Sequence, residues 1–214
     1  ALVPCLLLRP RGKTPGAITI ALHPEGKLSC LKEPAAQAML RQGRALCLAD
    51  LRHTGETKWD HPDSKEHLPP FRAELWLGRT MIGQWVKDIL AIRAVLAGRG
   101  HGRSGIELLA FGEPALAVLA AAALAENFAA VSVEKLPATY VTPQTPPAQR
   151  YSIYVPGILQ WGDVTLIAAL ANCPVRVRSL ANHSNKILSR PEHLAWLREA
   201  RKMAGRTGRR LQIT

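Results

Sequence analysis

Cysteine is scarce and scattered: Cys5, Cys30, Cys47 and Cys173 are the only four in 214 residues, and none forms a CxxC pair. That spacing excludes a disulfide scaffold and a zinc ribbon, and the four are expected to be buried thiols without a structural metal. No apolar run reaches the roughly 18 residues that a membrane-spanning helix needs. The longest, Ala115 to Ala125, is a short alanine-rich helix. The chain opens at Ala1 directly into an apolar run, without the charged start and small-residue cleavage site of a signal peptide, so a processing signal is not expected. Internal repeats are missing, and the alanine-rich helix is the one low-complexity segment. Acids are few: 16 Asp and Glu stand against 28 Lys and Arg, a formal net charge of +12.

What is there reads as a globular protein. Hydrophobic residues make up 47% and charged residues 21%, far from disordered or collagen-like composition. The length fits one domain, taken as residues 1–214 with irregular insertions near 52–74 and 137–160. The excess charge is concentrated at one end. From Arg176 to Thr214 there are ten basic residues (Arg176, Arg178, Lys186, Arg190, Arg198, Arg201, Lys202, Arg206, Arg209, Arg210) against Glu192 and Glu199. A region of this kind can contact a polyanion, although no aromatic-interleaved or glycine-rich nucleic-acid motif accompanies it.

Strand and helix signals alternate. Leu2 to Leu8, Ala17 to Leu22, Ala45 to Leu51, Ile106 to Phe111, Ala129 to Val133 and Pro174 to Ser179 read as strands, and Leu211 to Ile213 as a last short one. Pro34 opens a helix that buries Ala36, Met39 and Leu40 and is closed by Gly43. Ile82, Trp85, Val86, Ile89 and Leu96 recur at helical spacing. Ala115 to Ala125 is apolar on nearly every side and must be buried. Asp163 caps a helix through Ala171, and Ser189 with Glu192 forms a capping box for a helix reaching Ala204. The polar segment from Arg52 to Glu74, with Pro62, Pro69 and Pro70, reads as a long loop. Strands separated by helices of this length predict an α/β three-layer sandwich with a mostly parallel twisted sheet, Ile106 to Phe111 being central.

In such a sheet ligands bind at the carboxyl ends of the strands, so the turns after them carry the candidates. After the second strand comes His23-Pro24-Glu25-Gly26-Lys27. After the third comes Asp50 to Thr57, and after the fourth Gly112-Glu113-Pro114. The candidate pocket-lining residues are His23, Glu25, Gly112 and Glu113. Asp50 and Arg52 are expected to hold their own turn. His61, Asp63, Glu66 and His67 have metal-compatible chemistry but an irregular spacing unlike any standard metal motif, so no metal is expected. Ser104, in GRGHGRSG, follows a helix and precedes a strand, the reverse of a phosphate-cradling loop, and no cofactor is expected. Ser29 and Cys30 have no base beside them.

DLRHTGET, through Asp50, Arg52, Gly55 and Thr57, resembles the D-x-R-G-x-G-x-S turn of the α/β-hydrolase superfamily, in its acetyl xylan esterase, dienelactone hydrolase and prolyl-oligopeptidase-like group. LHPEGK is similar to the loop that supplies an oxyanion-hole amide there, and Met81 to Gly98 to the helix leading into the nucleophile strand. VPGILQWGDVTLIAALANCPVRV is similar to the segment around the seventh strand. The resemblance covers almost the whole chain and rests on the order of these segments. It implies a serine attacking an ester carbonyl, two amides holding the oxyanion, a histidine moving the proton, and a small ester or carbohydrate-like ligand.

The triad itself does not carry over. In G-x-S-x-G the serine sits on a strained strand-to-helix turn. Aligned on this chain, the pattern puts Gly112 at the serine in one frame and Pro114 in the other. The stretch after Ser179, Leu180 to Asn185, holds no carboxylate for the acid. The sequence ends at Thr214, in or just after the expected last strand, so the family's histidine is not expected there, and His183 and His193 precede it. The resemblance therefore implies a hydrolase-like protein without catalytic residues, and the alternative is a binding or interaction module.

Overall fold

The computed structural model describes residues 2–11, 17–59, 70–102, 105–142 and 152–206. Six strands build one sheet in the order β1-β3-β2-β4-β5-β7: β1 Cys5–Leu8, β2 Ile18–Leu22, β3 Ala45–Ala49, β4 Ile106–Phe111, β5 Phe128–Glu134 and β7 Val175–Val177. All neighbours are parallel except β1, which runs antiparallel to β3. The helices are α1 Lys27–Cys30, α2 Pro34–Arg41, α3 Pro70–Trp76, α4 Met81–Gly98, α5 Pro114–Leu124, α6 Val164–Ala169 and α7 Arg190–Arg206. A two-stranded sheet, β6 Leu136–Pro137 with β8 Leu180–Ala181, lies beyond the ends of β5 and β7.

Every residue of β2 and β3 is buried, as expected of parallel strands covered on both faces. Because side chains alternate between faces, Ile18, Ile20 and Leu22 of β2 join Leu108 and Val131 in one core with α4 to α7. Ala21, Leu46, Leu48, Leu109 and Phe111 form a smaller second core with Cys30, Ala35, Ala36 and Met39 of α1 and α2. The sheet is thus a layer between two unequal helical covers. α5 buries eight of its eleven residues against the large core, which explains an alanine-rich helix with no polar side. α4 occupies its predicted range, with the Thr80 hydroxyl accepting from the Gly83 amide at 3.1 Å as an N-cap.

Several expectations shift. Cys5 is exposed, because β1 is an edge strand and its first residue lies outside the packed layer. The predicted loop from Arg52 to Glu74 contains a 3-10 turn at Gly55–Thr57 and the start of α3, with Pro70 at the first helical position, where its missing N–H costs nothing. α1 is a single turn that no periodicity announces. In α2 the buried residues are Ala35, Ala36 and Met39 rather than Leu40, a rotation of the apolar face by one position. α6 ends at Ala169, two residues early, and the Ser189–Glu192 box opens α7 with the Ser189 amide donating to Glu192 at 2.8 Å. Leu211 to Ile213, Ser104 and the cluster His61, Asp63, Glu66 and His67 lie outside the described residues.

Candidate functional site

The parallel strands point their carboxyl ends at one edge of the molecule, and the turns after β2, β3 and β4 meet there. Asp50, just after β3, is 1% exposed and organises two of them. Its Oδ1 accepts from the Lys27 amide at 2.5 Å, and its Oδ2 accepts from the Lys27 ammonium at 2.6 Å and from the Glu56 amide at 3.1 Å. The Lys27 ammonium also donates to the Glu56 carboxylate. Burial pulls the Lys27 ammonium down, but its bonds to Asp50 and Glu56 outweigh that and hold it above the ordinary lysine range. Gly55 is required at its place. Its φ is 50°, and a Cβ there would come within 2.2 Å of Asp50 Oδ1.

Arg52 anchors the same turn to α4, its guanidinium 3.0 Å from the Asp88 carboxylate and donating to Gln84, while Trp85 Nε1 donates to the Arg52 carbonyl at 2.8 Å. Burial raises the Asp88 carboxyl despite that neighbour. The structure therefore gives Asp50 and Arg52 the turn-holding work expected of them.

The loop after β2 is satisfied from within. The Glu25 amide donates to His23 Nδ1 at 3.0 Å, the Gly26 amide to the His23 carbonyl at 2.9 Å, and Lys27's to Asp50; Pro24 has none. An acceptor Nδ1 places the imidazole proton on Nε2, which faces Glu33 Oε1 at 3.4 Å. Burial lowers the His23 pKa, and its ring lies against Phe111 with centroids 5.8 Å apart. Glu25 points outward, exposed, 4.0 Å from Lys58.

At the end of β4, Gly112 has φ 60°, and α5 begins two residues later at Pro114. A Cβ on Gly112 would meet Pro24 Cγ at 3.4 Å, so this turn and the β2 loop face each other. The Gly112 amide donates to the Glu134 carbonyl at 2.9 Å. Glu113 takes the N-cap position and accepts a hydrogen bond from Ser152 Oγ, a side chain buried to 2% exposure. Ser152 lies in an irregular proline-rich stretch, and nothing in its sequence neighbourhood marks it as a partner of a residue 39 positions earlier.

Next to this turn lies an open apolar cavity of about 330 Å³, bordered by Tyr140, Ile153, Val155, Ile158 and His183 among others. Burial and the Asp163 charge push the Tyr140 phenol upward. Asp163 caps α6, accepting from the Tyr140 and Val164 amides at 2.7 Å and from the Thr139 hydroxyl. His23, Glu25, Gly112 and Glu113 do not border this cavity; of the residues near the elbow it is Ile153, one position after Ser152, that does. Among the described residues, no three His, Cys, Asp or Glu side chains gather as metal ligands, and no helix is long and apolar enough to cross a membrane.

Neither a family model nor a curated relative matches the sequence. Solved structures do match. A candidate dienelactone hydrolase from Klebsiella pneumoniae subsp. pneumoniae MGH 78578 superposes with TM-score 0.62 at 13% identity, over 99% of this chain and 78% of that one. Est1E from Butyrivibrio proteoclasticus, solved with ferulic acid bound, gives TM-score 0.58 at 14% identity over 92% and 81%. A candidate acetyl xylan esterase from Bacteroides fragilis NCTC 9343 gives 0.63 at 16% over 98% and 62%, so this chain spans under two thirds of that protein. At these identities the likeness is one of fold alone, an α/β-hydrolase fold like theirs.

Proposed function

We propose that this chain is a hydrolase-fold protein that binds a small ester-like ligand without turning it over. One observation carries the reading: at the strand-to-helix turn after β4, where the fold's enzymes present a nucleophile, the residue at φ 60° is Gly112, which has no side chain. The alternative frame would put Pro114 at that place, but Pro114 is already the first residue of α5. His23, the imidazole packed against Phe111 beside the turn, has both nitrogens engaged and is not poised to take a proton. The residues 1–214 are read as one domain, with His23, Glu25, Gly112 and Glu113 on the carboxyl edge of the sheet, outside the lining of the cavity that takes the ligand.

The cavity between β6 and α6 favours an acyl or aryl group over a carbohydrate, since Ile153, Val155, Pro156, Ile158 and Leu159 border it. A chromogenic aryl acetate reports both properties, binding through calorimetric titration and turnover through the absorbance of the freed phenol. Saturable binding without product release is expected, weakened about tenfold by Ile158→Asp, which places a charge in the cavity. Product release above buffer, or binding indifferent to Ile158→Asp, would overturn the proposal.

A further inference from the structure

The smaller cover of the sheet leaves part of its face open. α1 and α2 lie over β2, β3 and the carboxyl half of β4, and beside them is a polar cavity of about 410 Å³. Arg44, Glu107, Ala130, Ser132, Arg176 and Arg178 border it. Strand register explains its shape. Ala130 pairs with Glu107 and Ser132 with Arg176, so short side chains on β5 lie between longer charged ones on β4 and β7. Arg176 and Arg178, two residues apart, project to the same face, roughly 7 Å apart along the strand.

The charges do not cancel. Arg44 is committed to Glu107, and the same Nη2 donates to the Thr19 hydroxyl at 3.2 Å. Arg178 is 3.4 Å from Glu134 but 41% exposed, and Arg176, also exposed, has no ion pair among the described residues. The run of ten basic residues is therefore not one patch: Arg176 and Arg178 serve this cavity, while Arg190, Arg198, Arg201, Lys202 and Arg206 ride on α7.

The geometry points to a site for the phosphate group of a small phosphate monoester, held by the Arg176 and Arg178 guanidiniums and the Ser132 hydroxyl. Arg176 supplies a guanidinium without an ion pair among the described residues and Arg178 one that faces Glu134 only at 3.4 Å, and their forked donors together with a hydroxyl reach three oxygens, which a planar carboxylate does not offer. The Arg44–Glu107 pair fixes the far wall, and the remaining volume accommodates the organic part. This site is on the opposite face of the sheet from α4 and α5 and is independent of the ligand reading above.

Calorimetric titration of phenyl phosphate into the full chain tests it, with phenyl sulfate as the monoanionic counterpart. Phenyl phosphate is expected to bind more tightly than the sulfate, and its affinity to fall below about pH 6 as the phosphate takes up a proton. The Arg176→Ala/Arg178→Ala variant should weaken phosphate binding at least about tenfold, while Arg198→Ala/Lys202→Ala on α7 stays within about twofold. All four side chains are exposed, and matching melting temperatures confirm that the variants fold. No phenyl phosphate binding at millimolar concentration, or an equal loss in the α7 variant, would overturn the site.

Discussion

Two turns at the same edge of the sheet are built in opposite ways. The turn after β3 is held by side-chain chemistry: a buried Asp50 ties Lys27, Glu56 and the amides of both into one charged cluster. The turn after β4 has no buried ion pair: Gly112 is in the left-handed region with its amide on the Glu134 carbonyl, Glu113 accepts from the Ser152 hydroxyl, and Pro114 starts α5. The first is fixed by buried charged groups, and the second presents a glycine at its left-handed position. The turns after β2 and β3 are thus tied to each other through Asp50, whereas the turn after β4 faces the β2 loop only across Gly112 and Pro24.

The comparison breaks most readily at Asp50. Asp50→Ala leaves the Lys27 ammonium buried without its main partner, and a loss of about 3–5 kcal/mol in urea unfolding is expected. A loss below about 1 kcal/mol would mean that the cluster is no anchor. Gly55→Ala should follow at about 2–3 kcal/mol, combining a positive φ with a Cβ 2.2 Å from Asp50 Oδ1. Gly112→Ala should cost less, about 1–2 kcal/mol, because its φ is equally unfavourable but its Cβ meets only Pro24 at 3.4 Å and beyond. Equal effects at the two glycines would remove the contrast between the turns.

The smallest effect concerns pH. The folded chain holds the His23 pKa below the ordinary value of 6.5, chiefly through burial. The unfolded state therefore takes up the proton first as pH falls, and His23's contribution is intact above about pH 6.5 and lost below it. His23→Gln should flatten the acid side of the stability profile. An unchanged slope would show that the imidazole is not the group responsible.

How much of this was legible in the sequence follows the range of the interactions. The six-stranded sheet and the helices α2, α4, α5, α6 and α7 are readable because apolar alternation and helical spacing are local, and the burial of Ala115 to Ala125 follows from its lack of any polar side; α1 and α3 carry no such pattern. Gly112 was visible as a glycine between strand and helix. Its positive φ was not, because the choice between Gly112 and Pro114 depends on where β4 stops and α5 starts. The partners of the candidates were hidden altogether. Glu33 against His23 comes from the next helix cap, Ser152 against Glu113 from a distant irregular stretch, and Lys27 was a loop residue until Asp50 folded beneath it. The cavity by Ser132 is hidden too: in the sequence Arg176 and Arg178 read as part of a basic tail, although their alternation with Val175 and Val177 puts them on one face.

The most direct test of the central claim is turnover by the purified chain of short acyl esters, run beside a serine-reactive phosphonate. The account predicts release at the buffer rate, no covalent labelling, and the same outcome for Gly112→Ser, whose new hydroxyl would have no free imidazole in His23. Hydrolysis by the unaltered chain that disappears in Glu113→Gln or Ser152→Ala would contradict it, placing a working catalytic group in the turn after β4.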